Sequence, residues 1–143
     1  MDANQGGVVF ERVTKKYGNV TAVDDVSFEV AQAELVTLLG PSGCGKTTTL
    51  RMVAGLEAVT SGRVLIGGKD VTLRAANERD VSMVFQSYAL VPHMTVLENV
   101  CYGPVSMRID KAKARDLARE KLRMLGLVDF ENRLPSELSG GQQ

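Results

Sequence analysis

The sequence predicts an α/β fold built around a glycine-rich loop, because three segments follow one another in a characteristic order. Residues 34–39 form a short apolar run, which predicts a buried strand. Residues 40–47 contain three glycines, and residues 48–56 predict a helix. A strand, a glycine loop and a helix in this order are typical of phosphate-binding loops.

The other elements are predicted from alternation and from turn signals. Residues 24–30 alternate apolar and polar side chains, which predicts a strand. Residues 63–71 predict a strand that runs into a glycine turn, with a second short strand after it. Residues 81–85 predict a further strand, and a capping box at residues 95–98 predicts the start of a helix.

The longest predicted helix covers residues 110–125, with Asp110 as its N-cap and Gly126 ending it. Its apolar stripe consists of Ala114, Ala118, Leu122 and Leu125. The basic face of this helix could also suit a nucleic acid. Asp116 and Glu120 interleave with the basic residues, however, and the formal net charge is zero, so a solvated face without a nucleic-acid partner is favoured.

Composition excludes several classes of protein. No segment approaches the run of ~20 apolar residues that spans a bilayer, and the polar N-terminus is unlike a signal peptide. The two cysteines, Cys44 and Cys101, have no paired spacing, which is typical of a reducing compartment and predicts no disulfide framework.

The glycine loop fits the pattern G-x-x-x-x-G-K-[ST] over residues 40–47 without a mismatch. Its glycines remove Cβ atoms and permit positive φ, so that backbone N–H groups can converge on an anion: Gly40, Gly43 and Gly45. Lys46 supplies a mobile positive charge for the phosphates, and the Thr47 hydroxyl is an oxygen ligand suited to Mg²⁺. Ser42 and Thr48 are predicted to add secondary phosphate contacts.

The residues of this loop also allow two other interpretations. An ordinary glycine turn before a helix would match the pattern in about one random chain in 200, and the strand and helix around it lower that chance. Cys44 could act as a nucleophile, but no base is evident nearby in the sequence. We therefore interpret Cys44 as a small loop residue whose backbone N–H binds phosphate.

A second motif, L-S-G-G-Q, occupies residues 138–142. Ser139 and Gln142 have capping-box spacing, and Gly140 and Gly141 leave the N–H groups of the first turn bare for an anion. The motif thus predicts a second helix N-terminus suited to phosphate. The alternative is a flexible glycine-rich tail.

Together, the two motifs resemble those of the ATP-binding subunits of ABC transporters, and the resemblance spans nearly the whole chain. It implies an ABC-type nucleotide-binding domain of the P-loop NTPase class, with ATP and Mg²⁺ as cofactors. It implies catalytic roles for Lys46, Gln86 and Ser139, and metal ligation by Thr47 and Gln86. The implied nucleotide-binding residues are Tyr17, Gly40, Ser42, Gly43, Cys44, Gly45, Lys46, Thr47, Thr48, Ser139, Gly140, Gly141 and Gln142.

Two of these roles depend on the resemblance alone. Tyr17 matches the aromatic residue that stacks on adenine, although by itself it would be interpreted as a strand-edge tyrosine. Gln86 matches the glutamine that touches Mg²⁺ and the attacking water, although a lone glutamine after a strand is usually only solvated.

The resemblance also implies a division into two domains. Residues 1–86 would form the N-terminal strands and the ATP-binding core, and residues 87–143 a helical subdomain that ends at the second motif. The family's later strand, with its aspartate and catalytic glutamate, has no counterpart before Gln143. We therefore expect the N-terminal part of a larger ATPase, with an open apolar sheet edge, which binds ATP but does not hydrolyse it efficiently by itself.

Residues 88–100 are most similar to bacterial importer ATPases of the polyamine, ferric-iron, sugar and phosphonate type. The implied function is an energy-coupling subunit that hydrolyses ATP as a homodimer. It would lie peripherally on the cytoplasmic face of the inner membrane and contact permease subunits through Gln86–Val100. A non-transport ABC ATPase and a non-catalytic nucleotide-binding module are the alternatives.

Overall fold

A computed structural model of the chain describes residues 7–143. Its contacts divide the chain into two compact units, Met1–Met83 and Val84–Gln143. The domain division predicted from the sequence, after residue 86, stays a prediction. The polar N-terminus, for which the sequence predicts no signal peptide, lies in residues 1–6, outside the described residues.

The first unit is built on an antiparallel sheet of the strands β1 (Val8–Tyr17), β2 (Val20–Val30), β3 (Ser61–Ile66) and β4 (Lys69–Asp70). The strand order in the sheet is β2-β1-β3-β4. Gly67 and Gly68 join the last two with φ of 57° and 71°, the left-handed conformations that a tight hairpin turn requires. The strands predicted at residues 24–30 and within residues 63–71 are therefore confirmed.

Strand side chains share one small apolar core with helix α1 (Lys46–Val53). Its buried members are Phe10, Val13, Val23, Met52, Val64 and Val71. Met52 belongs to the last turn of α1, so burying it anchors that end of the helix to the sheet. This contact sets the direction of α1, whose other end carries the glycine loop.

Two predicted strands are wrong: residues 34–39 and residues 81–85 have no strand pairing among the described residues. Leu35 is 94% exposed and Leu39 is 87% exposed, which contradicts a buried strand. An apolar run becomes a buried strand only when neighbouring strands pair with its N–H and C=O groups. The described sheet forms from other segments, and it offers these two runs no partner.

The second unit contains two helices, α2 (Val96–Ser106) and α3 (Lys111–Met124). The capping box predicted at residues 95–98 is confirmed: Glu98 N–H donates to the Thr95 hydroxyl at 3.3 Å, and Thr95 N–H donates to the Glu98 carboxylate at 2.8 Å. Asp110 caps α3 as predicted, accepting from Ala112 N–H at 2.9 Å. Short 3₁₀ turns cover Ala76–Glu78 in the first unit, and Val128–Phe130 and Pro135–Glu137 in the second.

The two helices bury a second apolar cluster that consists of Val96, Leu97, Cys101, Ala118 and Leu122. The predicted stripe on α3 is confirmed at Ala114, Ala118 and Leu122, but Leu125 is exposed and its inclusion is wrong. Leu125 lies beyond the last turn, where Gly126, at φ 68°, reverses the chain, and Leu127 packs against the cluster instead. Within residues 7–143, no helix is both long and apolar enough to cross a membrane.

Candidate phosphate-binding site

The glycine loop ends at the first turn of α1, as its sequence predicts. Gly45 is the N-cap residue with φ 92°, and Gly43 has φ 82°, conformations that L-residues with a Cβ rarely adopt. A Cβ added at Gly45 would lie 2.5 Å from the carbonyl oxygen of Ala22 on β2. Glycine at this position therefore lets the loop pass close to the sheet while its backbone takes the strained turn.

Lys46 turns its ammonium group back into the loop. Lys46 Nζ donates to the carbonyl oxygens of Gly40 and Pro41, both at 2.7 Å, and lies 3.4 Å from Cys44 Sγ. These neutral acceptors are weaker partners for a cation than phosphate oxygens are. The loop thus holds a positive charge where an anion can replace the carbonyl groups as its partner.

The three threonines that follow Lys46 have different environments. Thr49 is buried, and its hydroxyl donates to the Gly45 carbonyl at 3.0 Å, which braces the first turn of the helix. Thr47 is exposed, and Thr48 is half-buried. The predicted metal ligand, Thr47, therefore presents a hard oxygen to solvent at the positive end of α1, which fits Mg²⁺ chemistry.

The opposite end of α1 is held by Arg79, which sequence reasoning missed. Its guanidinium donates to the carbonyl oxygens of Met52 at 2.6 Å and Val53 at 3.0 Å, and also to Arg74 and Thr72. Arg79 is only 8% exposed, and burial lowers its pKa from the ordinary arginine value. A cation on the last carbonyls of a helix satisfies groups that have no intrahelical partner.

No signal in the sequence distinguishes Arg79 from the chain's other arginines. Its partners are backbone carbonyls from two separate segments, and only the tertiary structure brings these together. The Arg79 side chain occupies space that is open because residue 55 is glycine. A Cβ at Gly55 would lie 2.5 Å from Arg79 Nε.

Tyr17, the predicted adenine platform, is the last residue of β1 and belongs to the same unit as the glycine loop. The ring is partly exposed, and the ammonium of Lys15 lies 4.8 Å from its centroid.

Gln86 belongs to the second unit and is exposed in a turn. The two residues that follow Ser87 are strained: Tyr88 and Ala89 have φ of 60° and 56°, in the left-handed region. Backbone hydrogen bonds from Tyr88 N–H to Phe85 and from Ala89 N–H to Ser87 close this turn at 3.0 Å and 2.7 Å.

The L-S-G-G-Q motif forms a single tight turn. The Gln142 side chain accepts from Ser139 N–H at 3.0 Å, which is one half of the predicted capping box. The other half is absent, because Gln142 N–H donates to the Ser139 carbonyl at 2.9 Å and not to its hydroxyl. Gly140 and Gly141 are exposed, and a Cβ at Gly140 would lie 3.9 Å from the Tyr88 hydroxyl. The second unit therefore brings the turn after Gln86 next to this motif.

The second unit also has an open groove of about 610 Å³ along the start of α2. The groove combines apolar side chains with charged ones of both signs, including Leu97, Tyr102, Val105, Glu98, Lys111 and Arg115. Hydrogen bonds from Thr95 hold the pKa of the Glu98 carboxyl below its usual range, so Glu98 is charged at neutral pH.

Comparison with known sequences shows that one protein family matches most of the chain. The profile described as ABC transporter matches residues 23–143. Proteins named Fe(3+) ions import ATP-binding protein FbpC are 66% identical in Brucella abortus (strain 2308), 64% in Agrobacterium fabrum and 49% in Photorhabdus laumondii. The matches cover 96–97% of this chain but only 39–40% of each relative, so the chain spans about two fifths of their length.

Solved structures with the same fold include two ATP-binding cassettes. One is a dimeric post-hydrolysis state of the ATP-binding cassette MJ0796 bound to ADP and Pi, with a TM-score of 0.81 and 33% identity over 94% of this chain and 64% of that chain. The other is MJ1267, an ATP-binding cassette of an ABC transporter, with a TM-score of 0.79 and 27% identity over 96% of this chain and 60% of that one. The predicted fold class is confirmed by these neighbours.

Proposed function

The chain belongs to the ABC transporter family, and on that basis we propose that it is the ATP-binding, energy-coupling part of a bacterial importer. The observation that carries the proposal is the geometry of the glycine loop. Among the described residues, the Lys46 ammonium contacts backbone carbonyls and a cysteine sulfur, and it lies at the positive end of a helix beside glycines in left-handed conformations.

In the proposed site, the triphosphate of ATP replaces the carbonyl partners of Lys46. The N–H groups of residues 43–48 surround the phosphates, and Lys46 neutralises the charge on the terminal ones. Thr47 would hold Mg²⁺, as the resemblance implies, and the ion would neutralise charge on the phosphates. Tyr17 would offer its exposed ring to the adenine.

We propose that a homodimer of the full-length protein hydrolyses ATP. Gln86 would orient the attacking water, and Ser139 would face the nucleotide bound to the partner copy together with the bare N–H groups of Gly140 and Gly141. The dimeric, nucleotide-bound state of MJ0796 supports this assembly by analogy.

The proposed partner is a membrane permease that contacts Gln86–Val100, with the subunit peripheral to the cytoplasmic face of the membrane. The groove along α2 supports this contact, because its lining combines apolar side chains with charged ones. The names of the relatives suggest Fe(3+) as the cargo of the complete importer. Co-purification with a permease would support transport, whereas co-purification with ribosomes or DNA would favour a non-transport ATPase.

The decisive variant is Lys46→Ala, tested by calorimetric titration with Mg-ATP. We expect the dissociation constant to rise about tenfold to a hundredfold, the size of one lost charge-assisted contact. Lys69→Ala is the matched control, because it removes an exposed lysine of the same unit that lies outside the loop. Equal affinities for Lys46→Ala and the unaltered chain would contradict the proposal.

A further inference from the structure

Behind the exposed ring of Tyr17 lies a nearly buried cation. Lys15 and Tyr17 are two residues apart on β1, so their side chains project from the same side of the strand. Lys15 Nζ lies 4.8 Å from the centroid of the Tyr17 ring, and the Lys15 side chain is only 11% exposed. Tyr17 itself keeps 47% of its surface exposed. One face of the ring is thus occupied from within the protein, while the residue remains open to solvent.

The position of Lys15 is fixed by two residues of the segment between α1 and β3. Lys15 Nζ contacts the Glu57 carboxylate at 2.6 Å and donates to the Ala58 carbonyl at 2.6 Å. Hydrogen bonding by Lys15 holds the pKa of the Glu57 carboxyl below its usual range, and Lys15 contacts both Glu57 and the Tyr17 ring. Lys15, Tyr17 and Glu57 therefore form one connected group, which we call the tyrosine support.

A cation on one face of an aromatic ring has two physical consequences. It is attracted to the negative face of the ring, which restrains the ring in one orientation. It also draws electron density towards itself, so the opposite face becomes a better surface for an electron-rich aromatic ring. Adenine is such a ring, and a platform that is already oriented loses less side-chain entropy on binding.

We propose that Lys15 and Glu57 are positioning residues that prepare Tyr17 to stack on a purine base. This inference rests on the proposed function, since it assigns a task within the proposed ATP site. Neither residue touches the nucleotide: Glu57 holds Lys15, and Lys15 holds the ring.

The test compares two ligands on the full chain: ATP and inorganic triphosphate, which lacks the base. Lys15→Met removes the ammonium but keeps the apolar stem, and Glu57→Gln removes the charge that holds Lys15. We expect each variant to raise the dissociation constant for ATP about threefold to tenfold, while that for triphosphate stays unchanged. Tyr17→Ala sets the upper limit of the effect, and Lys16→Met is the control because Lys16 is an exposed lysine on the same strand.

The outcomes separate the two proposals. A loss of affinity for ATP but not for triphosphate in Lys15→Met and Glu57→Gln would confirm the proposed role of Lys15 and Glu57. Unchanged ATP affinity, or an equal loss for both ligands, would overturn this positioning role. Neither outcome would contradict the proposed phosphate site. If Tyr17→Ala binds ATP as well as the unaltered chain does, the adenine platform and its support both fall. If the unaltered chain binds neither ligand, the proposed function itself is wrong.

Discussion

The two units hold their candidate functional residues in different ways. In the first unit, the glycine loop is attached to a helix that is fixed at both ends, by Gly45 against β2 and by Arg79 on the terminal carbonyls. In the second unit, the L-S-G-G-Q motif is one turn, held mainly by Gln142 and by Gln143, whose side chain donates to the Pro135 carbonyl at 2.7 Å.

Under the proposed function, this difference distinguishes a preorganised binding site from an exposed contact surface. The loop around Lys46 would then need only an exchange of partners to accept an anion, because its glycines already have left-handed backbone conformations. Gly140 and Gly141, in the motif at residues 138–142, are exposed. Such an arrangement suits a surface that completes the site of another copy, as proposed above.

The largest expected effect comes from Ser139→Arg in the protein at the length its gene encodes. The arginine would fill the space that the partner's nucleotide needs, so ATP-dependent dimerisation should be lost while ATP binding to the monomer is retained. Sedimentation velocity with and without ATP measures the first property, and calorimetric titration measures the second. Dimerisation that persists in the variant would show that the second unit does not act across a dimer interface.

Arg79→Met tests whether the first unit depends on its buried cation. The substitution keeps much of the side chain's apolar volume but removes the guanidinium donor from the carbonyls of Met52 and Val53, and Met52 keeps only the Gly55 N–H at 3.3 Å. We expect the free energy of unfolding to fall by about 2–4 kcal/mol, as measured by urea denaturation. Arg74→Met is the matched control, since Arg74 takes part in this cluster only through its backbone carbonyl. A loss no larger than that of the control would refute the bracing role of Arg79.

Thr95→Ala gives the smallest expected effect and tests the second unit. It removes the hydroxyl that accepts from Glu98 N–H at the start of α2. The expected loss is about 1 kcal/mol of unfolding free energy, the usual value for an N-cap. Ser136→Ala is the comparison, because Ser136 is an exposed hydroxyl residue of the same unit outside any predicted cap. If both substitutions have equal effects in urea denaturation, the capping box contributes nothing measurable.

Local signals in the sequence predicted most of the elements correctly. The Thr95 capping box, the Asp110 cap and the helix-ending Gly126 all act within one turn of the chain, so their residues suffice to identify them. The roles of Gln86 and Ser139 at a nucleotide remain predictions, since they concern ligands and a second copy.

The prediction failed where a segment depends on distant partners. Residues 34–39 have the composition of a buried strand, yet they are exposed because the described sheet pairs other segments. The sequence did not predict the role of Arg79, because that role also depends on distant partners. Arg79 donates to backbone carbonyls that are 26 and 27 residues away.

The sequence alone determined the loop that begins α1, the caps of α2 and α3, and the family to which the chain belongs. These features depend on residue types at fixed short spacings, and short-range sterics and hydrogen bonding act on them directly. Only the tertiary structure decided that Arg79 holds the far end of α1, that Lys15 and Glu57 lie behind Tyr17, and that residues 34–39 are exposed. Burial and long-range pairing depend on which segments meet in space, and no local pattern specifies that.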